Sequence, residues 1–460
     1  MKVITKNLQY FYVLLTLGAG IFLGIWQIRP PPADESCAAF QRMMSNVERL
    51  TLKPHPSGSA EIELVRAKII AEIEEMGLTP IIHKAAFTHA EATAAHIKIL
   101  GRSYVLPPRF FPAPGRSPGG TLPLQNILVK LPGYNSKSGI MFVAHYDSWM
   151  NSPGAADAMV GVCAMLEVMR IFTNKKAIPG SAALANNLYF LFTEGEEFGA
   201  LGALAFVKDH PELRDRIDMV VNLEARGTRG GLLVFETSPE ASSVLRLFRR
   251  VSPRPIGFSF AALIYERMPV RTDFTFFSEF GFNGINLVIL EGAEYYHTPN
   301  DTYENLNRAT AWHYLSTVLA LADYAANNSL ERLREPSTNV VFFPFLPGIL
   351  VILSFRLAYI LCAIACLAAF ALIFFRLKYK RLMASFSTSL LLTLVLFSII
   401  SAIFIHPASY LFWLPLLAVS VSAFLQKWPL AHQIARLFSG VTALLLWVPL
   451  VYLIWAVLQG

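Results

Sequence analysis

Charge is scarce in this chain. Asp, Glu, Lys and Arg make up only 15% of its 460 residues and apolar types 54%, whereas soluble globular proteins carry about a quarter charged residues. A wholly soluble protein is therefore excluded. The deficit is uneven: residues 30–336 carry charges throughout, while 1–29 and 337–460 hold long apolar runs. The excess of 39 Lys+Arg over 32 Asp+Glu is not gathered in an arm or on one face, as nucleic-acid binding requires. Several of the basic residues flank apolar runs instead. Cysteine is scarce too. Cys37, Cys163, Cys362 and Cys366 form no CxxC pair, which argues against a thiolate zinc site. Cys362 and Cys366 read as buried small hydrophobes. Cys37 and Cys163 can pair only in an oxidising compartment, and the sequence leaves that open. No Pro/Gly/Ser-rich linker and no repeat divides residues 30–336, so one large domain is expected there.

Residues 10–28 contain no charge and follow Lys2 and Lys6. At about 1.5 Å per residue this run just crosses a ~30 Å hydrocarbon core. No convincing small-x-small cleavage site follows Trp26, so an uncleaved anchor is expected rather than a signal peptide. Further spans are expected at 356–375, 384–405, 409–425 and 438–458. Arg376, Lys378, Lys380 and Arg381 separate the first two of these, and Lys427 and Arg436 the last two; the connection near His406-Pro407 carries no Lys or Arg. Positive loops face the cytoplasm. The N-terminus is then cytoplasmic, residues 30–336 lie on the extracytoplasmic side (periplasm or organelle lumen), and 337–460 form a membrane domain in contact with the lipid bilayer. Residues 339–353, with Pro344 and Pro347, are apolar but short, and suit an interfacial segment or a half-span.

Within 30–336, apolar runs of strand length fall at 126–131, 140–144, 188–192, 219–223, 232–235 and 285–290. Helical patterns fall at 61–76, 159–171, 201–208, 242–251 and 311–325. The interleaving predicts an α/β fold, with helices sandwiching a mixed, largely parallel central sheet. Ligands collect beyond the carboxyl ends of strands in such sheets. His145 and Asp147 (HYDS) follow the second run, with Asp157 (PGAAD) just before a helix. Glu194, Glu196 and Glu197 (TEGEEFGALGA) follow the third, Glu224 (NLEARG) the fourth, and Tyr296 and His297 (YYHTPNDT) the last.

Each of these features alone has an ordinary explanation. His145 can be a hydrogen-bonded structural residue, Asp157 an N-cap, the glutamates a solvated helix start, and His297-Thr298-Pro299 a turn. Glu224, directly after a buried strand, is harder to dismiss, because an unpaired buried charge is costly. Taken together, two imidazoles and three carboxylates without a thiolate suit a divalent ion such as zinc, with manganese and cobalt accepted by the same donors. Five ligands exceed the three that one open catalytic zinc needs. Two ions about 3.5–4 Å apart, bridged by one carboxylate, use all five.

These motifs, in this order over residues 120–325, resemble the two-zinc metallopeptidases of the bacterial leucyl aminopeptidase and glutamate carboxypeptidase type. The branch of endoplasmic reticulum metallopeptidases and vacuolar membrane proteases is most similar, and it too joins such a domain to membrane helices. The resemblance implies that Asp157 bridges both ions, that His145 and Glu224 complete one site, and that Glu197 and His297 complete the other. It makes Glu196 the general base and Asp147 the group that orients the His145 imidazole. Many relatives carry Asp-Asp or Asp-Asn where this chain has Asp157-Ala158; the second residue is not a ligand in this scheme. The implied activity is hydrolysis of the N-terminal bond of a peptide substrate. The rivals are a single-zinc enzyme like glutaminyl cyclase, a receptor-like relative without catalysis, and a transporter or scaffold carrying a vestigial domain.

Overall fold

A computed structural model describes residues 25–92, 120–176, 183–265, 271–335 and 337–361, with Phe22 and Ala94 besides. The chain divides into two compact units, one of residues 29–344 with 348–354 and one of the remainder. No helix among the described residues is long and apolar enough to cross a membrane. The spans expected at 384–405, 409–425 and 438–458 lie outside the described residues, as do most of 10–28 and 356–375.

The first unit is built on an eight-stranded mixed sheet. Its strands are β1 (Ile81–Phe87), β2 (Leu122–Leu131), β3 (Asn135–His145), β4 (Asn186–Thr193), β5 (Met219–Ala225), β6 (Leu233–Thr237), β7 (Ile256–Gly257) and β8 (Gly284–Ile289), in the order β1-β2-β4-β3-β5-β8-β6-β7. The central strands β4, β3, β5 and β8 run parallel. The antiparallel pairs lie outside them: β1 with β2, β2 with β4, and β6 with β8.

The central strands carry continuous apolar runs because both faces are covered. Ile140, Phe142 and Ala144 of β3 enter one buried cluster, and Met141 and Val143 enter the other. Successive side chains point to opposite faces of a strand, and each of these five residues is fully enclosed. On the first face pack α1 (Ala38–Leu50), α2 (Ala60–Glu75), α3 (Val160–Lys176), α5 (Ser242–Val251) and α8 (Arg308–Asn327). On the second pack α4 (Leu201–Asp209) and α7 (Asp273–Glu279), the latter following the short α6 (Ser259–Tyr265). The helix starts are set locally. The Ser59 side chain accepts the Ile62 N–H at 3.2 Å, and the Asn307 side chain accepts the Thr310 N–H at 3.0 Å, as N-caps do.

One close approach ties α4 to the sheet. A Cβ on Gly202 would lie 2.1 Å from the carbonyl oxygen of Glu194 and 2.5 Å from Asn126 Oδ1. Only glycine lets this helix start sit on the chain leaving β4.

Residues 339–353 are mostly strand rather than a half-span. Val340–Leu346 (β9) and Ile349–Ser354 (β10) pair as a two-stranded sheet around Gly348, whose φ of +78° suits a tight turn. Prolines at 344 and 347 disfavour a helix here. Cys37 and Cys163 are free thiols, Cys163 buried.

Candidate metal centre

The parallel strands end side by side, and their ends carry the chemistry. His145 closes β3 beside Thr193, the last residue of β4. Glu196 and Glu197 follow on the turn into α4, Glu224 lies in the last turn of pleat of β5, and His297 follows β8. Asp157 arrives from the segment Ala155–Met159 that leads into α3.

All five residues expected to be ligands converge. His145 Nε2 lies 3.3 Å from Asp157 Oδ1 and 3.4 Å from Glu224 Oε1. His297 Nε2 lies 3.4 Å from Asp157 Oδ2 and 2.9 Å from Glu197 Oε2. The two oxygens of one carboxylate thus face two different imidazoles. Donor atoms fall into two groups, His145 with Glu196 and Glu224, and Asp157 with Glu197 and His297, each within 4.8 Å. Glu196 therefore stands at the first of these groups without being needed to complete the second.

Several buried donor atoms here lack hydrogen-bond partners: Glu197 Oε1, Glu224 Oε2 and His297 Nε2. His297 Nε2 is close to Glu197 but not aligned with it as a donor. Orphaned buried polar atoms are rare in folded proteins; three at one point fit ligands aimed at cations. The proton balance agrees. Burial alone would discharge both imidazoles, yet Glu224 and Asp157 hold His145 well above its ordinary value, and Asp157 with Glu197 holds His297 up to about 10. Burial, then the charge of Asp157, pushes the Glu197 carboxyl up to about 7. Burial and the nearby Glu224 raise Glu196 well above the carboxylate range. The cluster is an excess of negative charge in a dry place, which positive ions would relieve.

Asp147 does a different task from the one expected of its carboxylate. The His145 ring is oriented by the backbone carbonyl of Asp147, 2.9 Å from Nδ1, while the carboxylate oxygen is 3.7 Å away. That carboxylate instead accepts the backbone N–H groups of Glu196 (3.2 Å) and Glu197 (3.3 Å). It clamps the glutamate turn, while the carbonyl takes up Nδ1 of His145 and leaves Nε2 facing Asp157 and Glu224.

Several supporting residues, Tyr296 apart, escape sequence reasoning. Asp301 accepts the N–H of Ala156 at 2.8 Å and of Asp157 at 3.2 Å, so it holds the loop that presents Asp157. Trp149 stacks on the His297 ring at 4.4 Å with 4° between planes, and Tyr296 stacks on the same ring at 3.7 Å. His297 itself has φ of +57°, a left-handed conformation uncommon outside glycine that functional sites often retain. The Tyr314 hydroxyl donates to the Glu224 carbonyl, fixing the end of β5. Asp273, buried at the start of α7, accepts the Thr193 hydroxyl.

Comparison with known proteins was consistent with this geometry. The sequence profile of peptidase family M28 matches residues 126–322. This segment is an M28 peptidase domain. All five converging residues lie within it. Among curated proteins, the chain is similar to the vacuolar membrane protease of Saccharomyces cerevisiae, 32% identical over 225 residues, or 48% of this chain and 22% of that protein. It is likewise similar to human endoplasmic reticulum metallopeptidase 1, 31% identical over 235 residues, or 50% of this chain and 25% of that protein. The match thus spans a quarter or less of these two relatives. Among solved structures, a Zn-dependent exopeptidase from Parabacteroides distasonis aligns at TM-score 0.46 and 17% identity, over 63% of this chain and 98% of that one. The glutaminyl cyclase of Tannerella forsythia aligns equally, at TM-score 0.46 and 17% identity over 63% and 99%. The M28 domain of this chain is a mixed α/β fold whose sheet is parallel at its centre.

Proposed function

We propose that the chain is a membrane-anchored, two-zinc aminopeptidase. The observation that carries this reading is the placement of Asp157, with one carboxylate oxygen toward His145 and the other toward His297. In this scheme His145 and Glu224 would hold one ion, Glu197 and His297 would hold the other, and Asp157 would serve both. An imidazole and a carboxylate on each side, with no thiolate, fit zinc. Such ions would supply Lewis-acid polarisation of a peptide carbonyl and would acidify bound water.

Glu196 accepts the proton of the attacking water. It then returns that proton to the departing amine. Asp147 holds the Glu196 backbone so that the carboxylate stays beside His145 and Glu224. Trp149 and Tyr296 restrict the His297 ring by stacking. Membrane anchoring rests on the apolar runs at 10–28 and beyond 355, and on relatives named as membrane and reticulum proteases. On the same grounds the domain is placed on the extracytoplasmic side. Cleavage at a free N-terminus rests on the resemblance alone.

A Glu196→Gln protein is expected to keep its metal content and lose about a thousandfold in turnover, the scale of general acid–base catalysis. Metal analysis alongside rates on aminoacyl reporter substrates measures both. Normal turnover in that variant removes Glu196 from the mechanism. A single zinc per chain would favour the cyclase-like alternative.

A further inference from the structure

Arg226 leaves β5 two residues after Glu224 and has no part in the scheme above. Its backbone is tightly held. Arg226 N donates to the Ile289 carbonyl at 2.9 Å, and the N–H groups of Thr228 and Arg229 both donate to the Glu291 carbonyl, at 2.9 and 3.0 Å. Between them, a Cβ on Gly227 would fall 2.2 Å from that same oxygen. The ends of β5 and β8 are laced together here, so the base of the Arg226 side chain is fixed. Its guanidinium lies over the Tyr296 ring, 5.3 Å from the centroid, and that ring stacks on His297. The guanidinium is therefore one ring away from a proposed metal ligand.

The side chain is half-buried, and among the described residues it has no hydrogen bond and no ion pair. Glu196 and Glu224 are near enough to affect its charge yet form no ion pair with it. Two other enclosed arginines of the domain are paired: Arg66 with Glu194 and Tyr146, and Arg170 with Glu72 and Glu167. A guanidinium stays charged and presents donors in a planar fork that matches a carboxylate. Enclosing such a group without an anion is costly, and a cation–π contact offsets only part of that cost.

We infer that Arg226 is a substrate-binding residue that takes a carboxylate carried by the peptide close to the bond being cut. The inference rests on the peptidase reading for the nature of the substrate. It narrows that substrate to two sources of one chemistry: the free C-terminal carboxylate of a dipeptide, or an acidic side chain beside the scissile bond.

The test uses the full-length protein with its metals and three matched pairs of peptides: Ala-Ala against Ala-Ala amide, Ala-Asp amide against Ala-Asn amide, and Asp-Ala amide against Asn-Ala amide. Wild-type protein is expected to favour the carboxylate member of at least one pair by about tenfold to a hundredfold in kcat/KM, mainly through KM, as loss of a charge-assisted pair would give. Arg226→Gln abolishes that preference, read as the ratio of kcat/KM between the two members within each protein. Arg226→Lys, which keeps the charge but loses the fork, retains part of the preference and covers the case in which the Gln variant does not fold. The pair that responds identifies the source.

Calorimetric binding of the same peptides to Glu196→Gln protein, with and without Arg226→Gln, gives a readout independent of turnover. Arg226-dependent selective binding without hydrolysis by the wild type would sink the peptidase reading and leave the carboxylate site standing. Hydrolysis indifferent to the carboxylate in every pair, or an equal loss on both members in the Arg226 variants, overturns the inference.

Discussion

Replacing Asp301 by Ala should damage the metal centre without touching a ligand. Asp301 is almost fully buried, and its carboxylate accepts two backbone N–H groups, from Ala156 at 2.8 Å and Asp157 at 3.2 Å. Truncation leaves both donors enclosed without partners, and a buried donor left unpaired costs about 1–3 kcal/mol. A compensating effect reduces the sum. Burial and the neighbouring Asp157 push the Asp301 carboxyl up to about 7, so its removal relieves some repulsion. The net expectation is a loss of about 3 kcal/mol. Asp301→Asn retains one acceptor and should lose about half as much. In the proposed scheme Asp157 serves both ions, so the Ala variant should also bind zinc more weakly at both positions. Denaturant unfolding and zinc titration of the purified full-length chain measure the two effects. Wild-type unfolding midpoint and wild-type zinc affinity in Asp301→Ala would refute the role given to this loop anchor.

Two further outcomes follow from groups away from the ligands. Glu236 is buried among Thr272, Thr275 and Asn286, and burial pushes its carboxyl up to about 7 from an ordinary 4.5. The folded state therefore keeps this proton longer than the unfolded chain, so the stability contribution is complete below about pH 4.5 and is lost as pH rises towards 7. Glu236→Gln should flatten that slope and raise stability at pH 8 by up to about 3 kcal/mol, as read from denaturant midpoints across pH; an unchanged slope contradicts the assignment. Gly202→Ala should cost about 3 kcal/mol or more, since its Cβ would meet backbone at 2.1 Å. It should also lower turnover, because the oxygen it strikes belongs to Glu194, on the same turn as Glu196 and Glu197; a variant as stable and as active as wild type would show that the helix start yields freely.

The sheet was legible because its central strands are covered on both faces. Runs such as Ile140–Ala144 and Leu188–Phe192 are continuous for that reason, and the polar residues directly after them mark the strand ends where His145, Glu196 and Glu197 sit. The edge strand β1 was not legible: its residues are intermediate or exposed, and IIHKAAF has neither a continuous apolar run nor clean alternation. Helix α1 has Phe40, Met43, Met44 and Val47 at helical spacing on its buried side, a pattern present in the sequence but easily passed over beside the preceding prolines. The supporting shell is harder still. Asp301 follows a turn-forming Pro-Asn, and only the folded loop shows its carboxylate reaching the Asp157 backbone. For Asp147 the sequence fixes proximity to His145 but cannot say which of its oxygens faces the ring.

Counting metal in the purified full-length chain tests the central claim most directly. The account predicts two zinc ions per wild-type chain and loss of both in Asp157→Asn, whose side chain offers one oxygen in place of two. One ion in the wild type, or two retained by Asp157→Asn, would contradict it.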